Sequence, residues 1–363
     1  MRILLISHAP LTAELGAAQI ALQLASALRD RGHDAFAWSP EPLPPGTRWW
    51  NFWLRQRASI ERFAAEQGPF DVIDTPPTTA THALTGAGCL VARSIQPELL
   101  YLSDALANDL SRHPSPRSLV NAVLGGSRAA SILAGWRRAR LILCLGSSEL
   151  TWMQRHFSCW AAKLRVYVSA PTPDERPALL ALRHQRAISP GREGVRFLWI
   201  GRWASHKGFP ALLDFFRERS AAFPADTLTI AGCGAGAEPD IPKTWLTSGR
   251  VRLIPSFSRA ELPGLLASHD AGLFTSVVEG WGLSLNEMLE AGMPVYATDT
   301  GAVTDLRPYF PVSLRSFPPP ARAQFEPAPA EDLEANGYLR RFSWPEIARR
   351  YEEDVLAACR TES

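Results

Sequence analysis

The sequence has very little lysine. Of its 38 basic residues only Lys163, Lys207 and Lys243 are lysines, and the remaining basic residues are arginines. Because 36 acidic residues leave a formal net charge of +2, the overall charge does not indicate a nucleic-acid-binding protein. A bias in genomic composition is the simplest explanation of the arginine excess. The charge is unevenly divided, since residues 1–172 carry 17 basic and 12 acidic groups.

The sequence also lacks the patterns of disulfide-rich, zinc-binding and membrane-spanning proteins. Its five cysteines are far apart, with no C-x-x-C and no Cys/His spacing typical of zinc, which argues against a disulfide framework and a structural metal site. No apolar run approaches the ~18 residues of a membrane-spanning helix. The start, MRILLISHAP, is typical of a buried strand rather than of a signal peptide. The cytoplasm is therefore the expected location.

Short apolar runs alternate with helical patterns along the whole chain. A length of 363 residues favours two domains. In the first half, strands are predicted at 3–6, 35–38, 71–74 and 141–145, with a helix over 17–31 after the first. In the second half, strands are predicted at 195–200, 228–230, 251–254, 271–275 and 295–298, with helices at 209–219, 261–268, 284–291 and 344–359. This alternation predicts an α/β fold with parallel sheets.

A change of composition marks the boundary between the two halves. Residues 173–194 mix proline, glycine and charge and are predicted to link the domains. The expected architecture is therefore two Rossmann-like, doubly wound domains, 1–172 and 195–342, that face each other across a cleft. The last segment, 343–363, is predicted to be a helix that crosses back to the first domain. In such sheets ligands bind beyond the carboxyl ends of the strands.

A loop bounded by glycines follows the predicted strand 195–200. Its sequence, GRWASHKG, places Arg202 and Lys207 five residues apart and just ahead of a helix. A guanidinium fork and a compact ammonium group at a helix N-terminus suit a diphosphate. Two surface cations on a solvated loop are the structural alternative, and the loop taken alone favours this alternative.

A second loop, EGWGLSLNE, follows the predicted strand 271–275. Gly280 and Gly282 allow backbone N–H groups to approach a ligand, and Glu279 and Glu287 can accept hydrogen bonds from its hydroxyls. The last four residues also match a capping box, which is a purely structural role for Glu287. Paired carboxylates occur in glycosidases too, but the neighbouring cations fit poorly with hydrolysis of a neutral sugar.

The order of these motifs resembles that of the family 4 glycosyltransferases of GT-B fold, the glycosyl transferases group 1. Beyond the two loops, GAAQIALQLASALRDRGHDA resembles their first helix and LTIAGCGAG a central strand and turn. AGMPVYATDTGAVTDL resembles the segment after the second loop, and RFSWPEIARRYEEDVL the C-terminal helix. The resemblance extends over most of the chain.

The resemblance implies a retaining transferase that moves a sugar from a nucleotide-sugar donor to a hydroxyl acceptor, which is a glycan, a lipid or a small molecule. Residues 1–172 would bind the acceptor and 195–342 the donor. Arg202 and Lys207 would bind the diphosphate and, with Glu279 on the transferred sugar, form the catalytic set. Glu287 would hold the ribose. The donor-binding set that the resemblance implies is Gly16, Gly280, Trp281, Gly282, Leu283 and Glu287.

The chain departs from the family pattern at three places. One glycine, Gly16, stands where the family often has two; Ile95 and Gln96 replace a histidine; and Pro255 replaces a glycine near the base pocket. No Asp-x-Asp occurs in the chain, so neither a metal nor another cofactor is expected beside the nucleotide-sugar co-substrate. His82, Asp104 and Asp109 lie in the acceptor half as candidates for a general base, and their spacing selects none of them.

The arginines of the first half suggest a further partner. Residues 112–140 hold six arginines and no acidic residue, interleaved with apolar residues, and residues 49–53 are rich in Trp and Phe. An anionic membrane surface is therefore a candidate partner, with the protein peripheral on the inner face; exposed, solvated helix faces are the alternative. Two other functions stay open: a nucleotide-sugar epimerase of the same fold, and a catalytically silent protein that binds glycans or nucleotides.

Overall fold

The protein was analysed as a computed structural model that describes residues 1–8, 10–12, 16–42, 49–112, 116–186, 194–327 and 329–359. The chain divides into two compact units. The first consists of Met1–Ser169 and Arg340–Ser363, and the second of Ala170–Leu339. Each unit is built around its own parallel sheet, and each is described below by itself.

The first unit contains a six-stranded parallel sheet of order β2-β1-β3-β4-β5-β6. Its central strands are buried on both faces, which explains the continuous apolar runs such as ILLI and LILCL. The order reverses between β1 and β3, which lie side by side while β2 lies outside β1. The strands are β1 (Arg2–Ile6), β2 (Asp34–Trp38), β3 (Val72–Thr75), β4 (Cys89–Arg93), β5 (Leu141–Leu145) and β6 (Leu164–Tyr167).

Helices cover both faces of this sheet. One apolar cluster packs Ile60 and Ala64 of a helix against Leu4 and Ile73, and another packs Ile132 and Trp136 against β4, β5 and β6. The helices are α1 (Gly16–Asp30), α2 (Trp49–Gln67), α3 (His82–Thr85), α4 (Glu98–Arg112), α5 (Pro116–Arg138) and α6 (Ser147–His156).

The second unit repeats this plan. Its six parallel strands have the order β12-β11-β10-β7-β8-β9, so that β7 and β10 are neighbours and the chain order reverses between them. The strands are β7 (Arg196–Ile200), β8 (Thr227–Ala231), β9 (Val251–Ile254), β10 (Ala271–Phe274), β11 (Val295–Ala297) and β12 (Leu314–Ser316). This is the doubly wound arrangement in which ligands bind where the two central strands diverge.

The helices of the second unit and the last helix complete the fold. They are α7 (Arg176–Gln185), α8 (Phe209–Ala222), α9 (Lys243–Thr247), α10 (Leu262–Ala267), α11 (Leu283–Glu290), α12 (Val303–Leu306), α13 (Tyr338–Arg341) and α14 (Trp344–Cys359). Within the described part of the chain, no helix combines the length and the apolar character that crossing a membrane requires.

The predicted elements are confirmed to within a few residues at their ends, and three strands were missed. β4, β6 and β12 have five, four and three residues. Their runs CLVAR, LRVY and LRS contain arginine, which weakens the apolar signal that identifies a buried strand.

Part of the segment predicted as a linker is a helix of the second unit. Within 173–194, α7 packs against α10 and α11. Arg183 donates to the carbonyl oxygens of Leu289 and Glu331, and Arg186 donates to those of Leu266, His269 and Ala291, which anchors the C-terminal end of this helix. Residues 187–193 lie outside the described part. The charged composition of this segment is therefore explained by side chains that bind backbone carbonyl oxygens, and not by the polar residues of a linker.

The last helix, α14, packs against α1 in the first unit, and Arg31 of α1 forms an ion pair with Glu352. Cys359 at its end is bonded to Cys89 at the start of β4, with Cα atoms 6.0 Å apart. The prediction against disulfides, which was made from the cysteine spacing, is therefore wrong for this pair. The fold brings together two cysteines separated by 270 positions, which no local spacing reveals. Residues 360–363 of the predicted final segment lie outside the described part.

Candidate donor site

The loop after β7 is shaped by Gly208. This residue has φ +67°, and a Cβ placed on it would lie 1.8 Å from the carbonyl oxygen of Thr275 at the end of β10. Only glycine fits such a close approach. The loop after β7 therefore lies directly against the end of β10, at the point where the two strands diverge.

Hydrogen bonds join the two loops at this point. The Thr275 hydroxyl donates to the carbonyl oxygen of Lys207 at 2.8 Å and accepts from Trp199 Nε1 at 3.0 Å. The Val277 N–H donates to the carbonyl oxygen of His206 at 2.7 Å. The backbone on both sides of the Lys207 side chain is thus held against the β10 loop, so the lysine is positioned by the scaffold.

Lys207 and Glu279 form an ion pair between the two loops. Lys207 Nζ lies 2.5 Å from Glu279 Oε2, and the two side chains are 17% and 14% exposed. The Ser276 hydroxyl donates to the same carboxylate oxygen at 3.0 Å, and the Gly280 N–H donates to Oε1 at 3.3 Å. The pair is fully hydrogen-bonded on its inner side and still reaches solvent, which leaves it accessible to a ligand.

Both ionisable neighbours of Lys207 have shifted pKa values. Burial would raise the pKa of Glu279, but the charge of Lys207 and the hydrogen bonds from Lys207 and Ser276 hold it below its usual range. Burial, together with the charges of Lys207 and Arg202, lowers the pKa of His206 to about 4. At neutral pH the site therefore contains an ionised Glu279 carboxylate and a neutral His206.

The turn from Glu279 into α11 depends on Gly282. It has φ +82°, and a Cβ there would lie 2.7 Å from the Phe274 ring. The helix begins at Leu283, which is half-buried, and no side chain caps it. The Gly280 N–H borders the Glu279 carboxylate. Trp281 is 2% exposed and packs inward, so in this sequence motif the tryptophan contributes packing and its neighbours line the site.

Gly301 also contacts the carboxylate side chain, and the sequence interpretation assigned it no role. With φ +60°, it would place a Cβ 3.0 Å from Glu279 Cγ and 3.0 Å from the Trp281 carbonyl oxygen. The segment after β11 thus closes over the stem of Glu279. A glycine in the run TDTGAVTDL was the available signal.

Glu287 lies four residues after Leu283, the first residue of α11, and its carboxylate does not cap the helix. It is 2% exposed, and its Oε1 accepts from Arg259 Nη2 at 2.5 Å. Arg259 also binds both carboxylate oxygens of Glu175, at 2.6 and 2.8 Å. The capping box read from Ser284 to Glu287 is therefore wrong, because the helix starts at Leu283 and an arginine from another loop takes the carboxylate. Burial raises the pKa of Glu287, and Arg259 opposes this effect.

A second buried network fixes α11 from behind. Trp281 Nε1 donates to Asn286 Oδ1 at 2.9 Å, Asn286 donates to the Tyr338 hydroxyl, and Tyr338 donates to Glu290 Oε1 at 2.6 Å. Arg176 of α7 binds both oxygens of Glu290, at 2.7 and 3.0 Å. Sequence reasoning missed Tyr338 and Arg176, since they are distant in the chain, and they support the turn at Trp281 without touching the ion pair.

The other predicted site residues are placed as follows. Arg202 is exposed at the start of the loop and forms no ion pair with the described residues. Gly16, half-buried, begins α1 in the first unit, and its neighbour Leu15 lies outside the described part. Asp109 accepts from Asn121 at 2.7 Å, and His82 is exposed at the start of α3. In the described ranges, no three His, Cys, Asp or Glu side chains are grouped as a metal site requires.

Comparisons with known proteins show what the chain is similar to. Residues 194–308 match the family model described as glycosyl transferases group 1. Sucrose-phosphate synthase from Thermosynechococcus elongatus is 15% identical, with a TM-score of 0.66 over 98% of this chain and 94% of that one. An α,α-trehalose-phosphate synthase (UDP-forming) from Burkholderia vietnamiensis is 12% identical, with a TM-score of 0.65 over 98% and 100%.

A third solved structure contains ligands. Anabaena HepE, solved in complex with UDP and glucose, is 17% identical, with a TM-score of 0.56 over 99% of this chain and 97% of that one. No curated protein matches the chain. The predicted resemblance is nevertheless confirmed: the chain has the GT-B fold of the glycosyltransferases, and the match to glycosyl transferases group 1 covers residues 194–308, which contain Lys207 and Glu279.

Proposed function

We propose that the protein is a retaining glycosyltransferase that transfers a sugar from a nucleoside-diphosphate sugar to a hydroxyl acceptor. The observation that carries the proposal is the Lys207–Glu279 pair, held at the point where β7 and β10 diverge. This is where a doubly wound sheet binds nucleotides. The complex of the similar HepE with UDP and glucose supports the choice of donor class.

Lys207 and Arg202 are suited to the departing diphosphate. Negative charge accumulates on the leaving group as the glycosidic bond to it breaks, and positioned cations in a poorly solvated site stabilise that charge. Lys207 is held by its backbone and is largely buried, whereas Arg202 is exposed and lacks an ion-pair partner among the described residues. Arg202 is therefore free to form a bidentate contact with a phosphate.

Glu279 is suited to the transferred sugar. Its ionised carboxylate is an acceptor only, and sugar hydroxyls are donors. Glu279 also orients Lys207 in the absence of donor, so the ammonium group is already in place when the diphosphate arrives. Glu287, whose carboxylate oxygen is bound by Arg259, is proposed to bind the ribose with its other oxygen.

The test is a panel of nucleoside-diphosphate sugars incubated with the protein, with release of the nucleoside diphosphate as the readout. We expect release with at least one donor, undiminished by EDTA, since we propose that no metal takes part. Glu279→Ala and Lys207→Ala are expected to lower the rate strongly, whereas Lys243→Ala, an exposed lysine in the same unit, is the matched control. No release with any donor, or equal rates in all variants, would contradict the proposal.

Two finer points need their own readouts. Retention is tested by NMR of the product, because a β-configured product from an α-configured donor would show inversion instead. We also propose that the protein acts in the cytoplasm. Cell fractionation tests the location, and recovery of the protein from an oxidising compartment, where the Cys89–Cys359 disulfide would persist, would contradict it.

A further inference from the structure

A cavity of about 340 Å³ lies in the first unit, between α2 and α5 and beside the short turn Pro77–Thr79 that follows β3. Its α5 wall includes Ser127, Ser131 and Arg138. These residues, at positions i, i+4 and i+11, share one face of the helix. The cavity thus lies between the two segments whose arginines and aromatic residues the proposed transferase does not use.

Two arginines enter this cavity without a carboxylate partner. Arg57 of α2 and Arg138 of α5 both line it, and neither forms an ion pair with any described residue. Burial and the positive charge of Arg138 lower the pKa of Arg57, and Glu61, one turn away, offsets this only in part. Two like charges that are partly removed from water destabilise the first unit unless an anion lies between them.

The arginines have unused hydrogen-bond donors. Arg57 donates through Nε and Nη2 to the Thr78 carbonyl oxygen, at 2.9 and 2.6 Å, and Arg138 donates to that of Ala80 at 3.3 Å. A guanidinium has five N–H donors, so most remain available. The backbone contacts hold the two side chains at the turn without neutralising them.

Two hydroxyl groups in the lining also lack partners. Thr78 Oγ1 and Thr81 Oγ1 are buried, and neither has a hydrogen-bond partner in the structure. Buried polar atoms without partners are rare in native proteins and often indicate an absent water, ion or ligand. Hydroxyl groups and guanidinium groups together are donors suited to a phosphate, which has more acceptor oxygens than a carboxylate has.

We propose that this cavity binds a phosphate monoester group, with Arg57 and Arg138 neutralising its charge and Thr78 and Thr81 donating hydrogen bonds. The volume exceeds that of a bare phosphate and leaves space for part of the molecule that bears it. A soluble phosphorylated compound and the headgroup of a phosphatidate present the same chemistry. All residues that line the cavity belong to the first unit, so substitutions at Lys207 in the second unit can distinguish it from the proposed donor site.

The experiment uses the full chain and two probes: inorganic phosphate, measured by calorimetry, and phosphatidylcholine vesicles with or without phosphatidate, measured by flotation. Arg57→Gln and Arg138→Gln are each expected to weaken binding about tenfold or more, which is about 1.4 kcal/mol. The matched controls are Arg55→Gln on α2 and Arg137→Gln on α5, exposed arginines outside the lining, and they are expected to bind as the unmodified protein does.

Phosphate could also bind at Lys207, so the titration is repeated in Lys207→Gln, where binding in the first unit is expected to persist. Thr81→Val retains both charges and is expected to weaken binding a few-fold, which keeps the test valid if an arginine variant fails to fold. Binding of free phosphate that depends on Arg57 identifies a soluble ligand, and binding that needs the vesicle identifies the lipid. No binding of either probe, or equal losses in the control variants, would overturn the proposal.

Discussion

The two units have sheets of the same design, and each carries an ion pair at the carboxyl edge of its central strands. In the first unit Asp74 at the end of β3 binds Arg93 at the end of β4 at 2.7 Å, and the two side chains are 0% and 1% exposed. In the second unit Lys207 and Glu279 are 17% and 14% exposed. The first unit thus holds a buried pair between two neighbouring strands, and the second holds an accessible pair between the loops that follow its two central strands.

The difference shows how burial assigns a role to a charge. A pair that water and ligands cannot reach contributes to one structure alone, and removal of one partner leaves an isolated buried charge. A pair that remains partly exposed costs less to break, so its ammonium group can exchange a carboxylate for a phosphate. Because we propose that the same interaction serves structure in the first unit and chemistry in the second, paired substitutions can separate the two roles.

The largest expected effect is on the stability of the first unit. Arg93→Met should lower the free energy of unfolding by about 3–5 kcal/mol, because Asp74 would stay buried without a countercharge. The measurement is denaturant unfolding followed at the tryptophans. Adding Asp74→Asn to Arg93→Met should recover part of the loss, and a double variant no more stable than the single one would contradict this account.

Lys207→Met should reverse the balance between stability and activity. We expect a loss of about 10²–10³ in the rate of nucleoside-diphosphate release, by analogy with other preorganised groups that stabilise developing charge. The free energy of unfolding should change by about 1 kcal/mol or less, since the pair is partly solvated. Steady-state kinetics and unfolding of the same preparation test both. A large loss of stability would mean that the two pairs are alike.

Glu98 should make the stability of the first unit depend on pH. It is 2% exposed, both carboxylate oxygens lack partners, and burial raises its pKa to about 7. The folded state therefore retains a proton that the unfolded state loses above the ordinary pKa of 4.5, so stability falls as the pH rises from about 4.5 to 7 and then stays level.

The substitution Glu98→Gln removes this dependence. At pH 8 the variant should be more stable than the unmodified protein by about 2 kcal/mol, and at pH 4 the difference should be small. The charge of Glu98 adds to the burial that raises the pKa of Glu149 to about 7, so the difference between the proteins includes this coupling. Glu66→Gln, an exposed residue of α2, is the control. An equal difference at both pH values would show that the pKa of Glu98 is the same in the folded and unfolded states.

The smallest effect is expected behind the second ion pair. Tyr338→Phe removes the hydroxyl that joins Asn286 to Glu290 and should lower the free energy of unfolding by about 1–2 kcal/mol. Tyr296→Phe, whose hydroxyl accepts from the half-exposed Arg315 at 3.1 Å, should cost less. Thermal unfolding compares them, and equal shifts would indicate that the buried network adds nothing.

Local pattern was sufficient for much of the fold and for the two partners of the site. The apolar runs of β1, β5 and β7 and the glycine-bounded loops are contiguous in the chain, so the sequence predicts the alternation and places Lys207 and Glu279 at strand ends. The local pattern failed where the role of a side chain depends on a partner that is distant in the sequence. Glu287 matched a helix cap and is instead bound by Arg259, which is 28 positions away and follows a different strand.

Contacts between segments that are distant in the sequence account for the other features that the sequence did not predict. Cys89 and Cys359 form a disulfide because α14 returns to the first unit. Segment 173–194 is partly a helix because Arg183 and Arg186 find carbonyl groups on α10, α11 and the following loops. Neither follows from spacing, since the relevant distance is through space.

Lys207, one of only three lysines in the chain, illustrates this difference between what the sequence and what the fold determine. The sequence alone predicts two α/β units, a glycine-bounded loop that contains one of the three lysines, and a second loop that contains Glu279 and Glu287. It can do so because periodicity and backbone chemistry are local properties of the chain. The fold alone determines that Lys207 meets Glu279 with solvent still in reach, whereas Arg93 and Asp74 are sealed from it. Burial depends on how the whole unit packs, and it determines whether water or a ligand can reach each charged group.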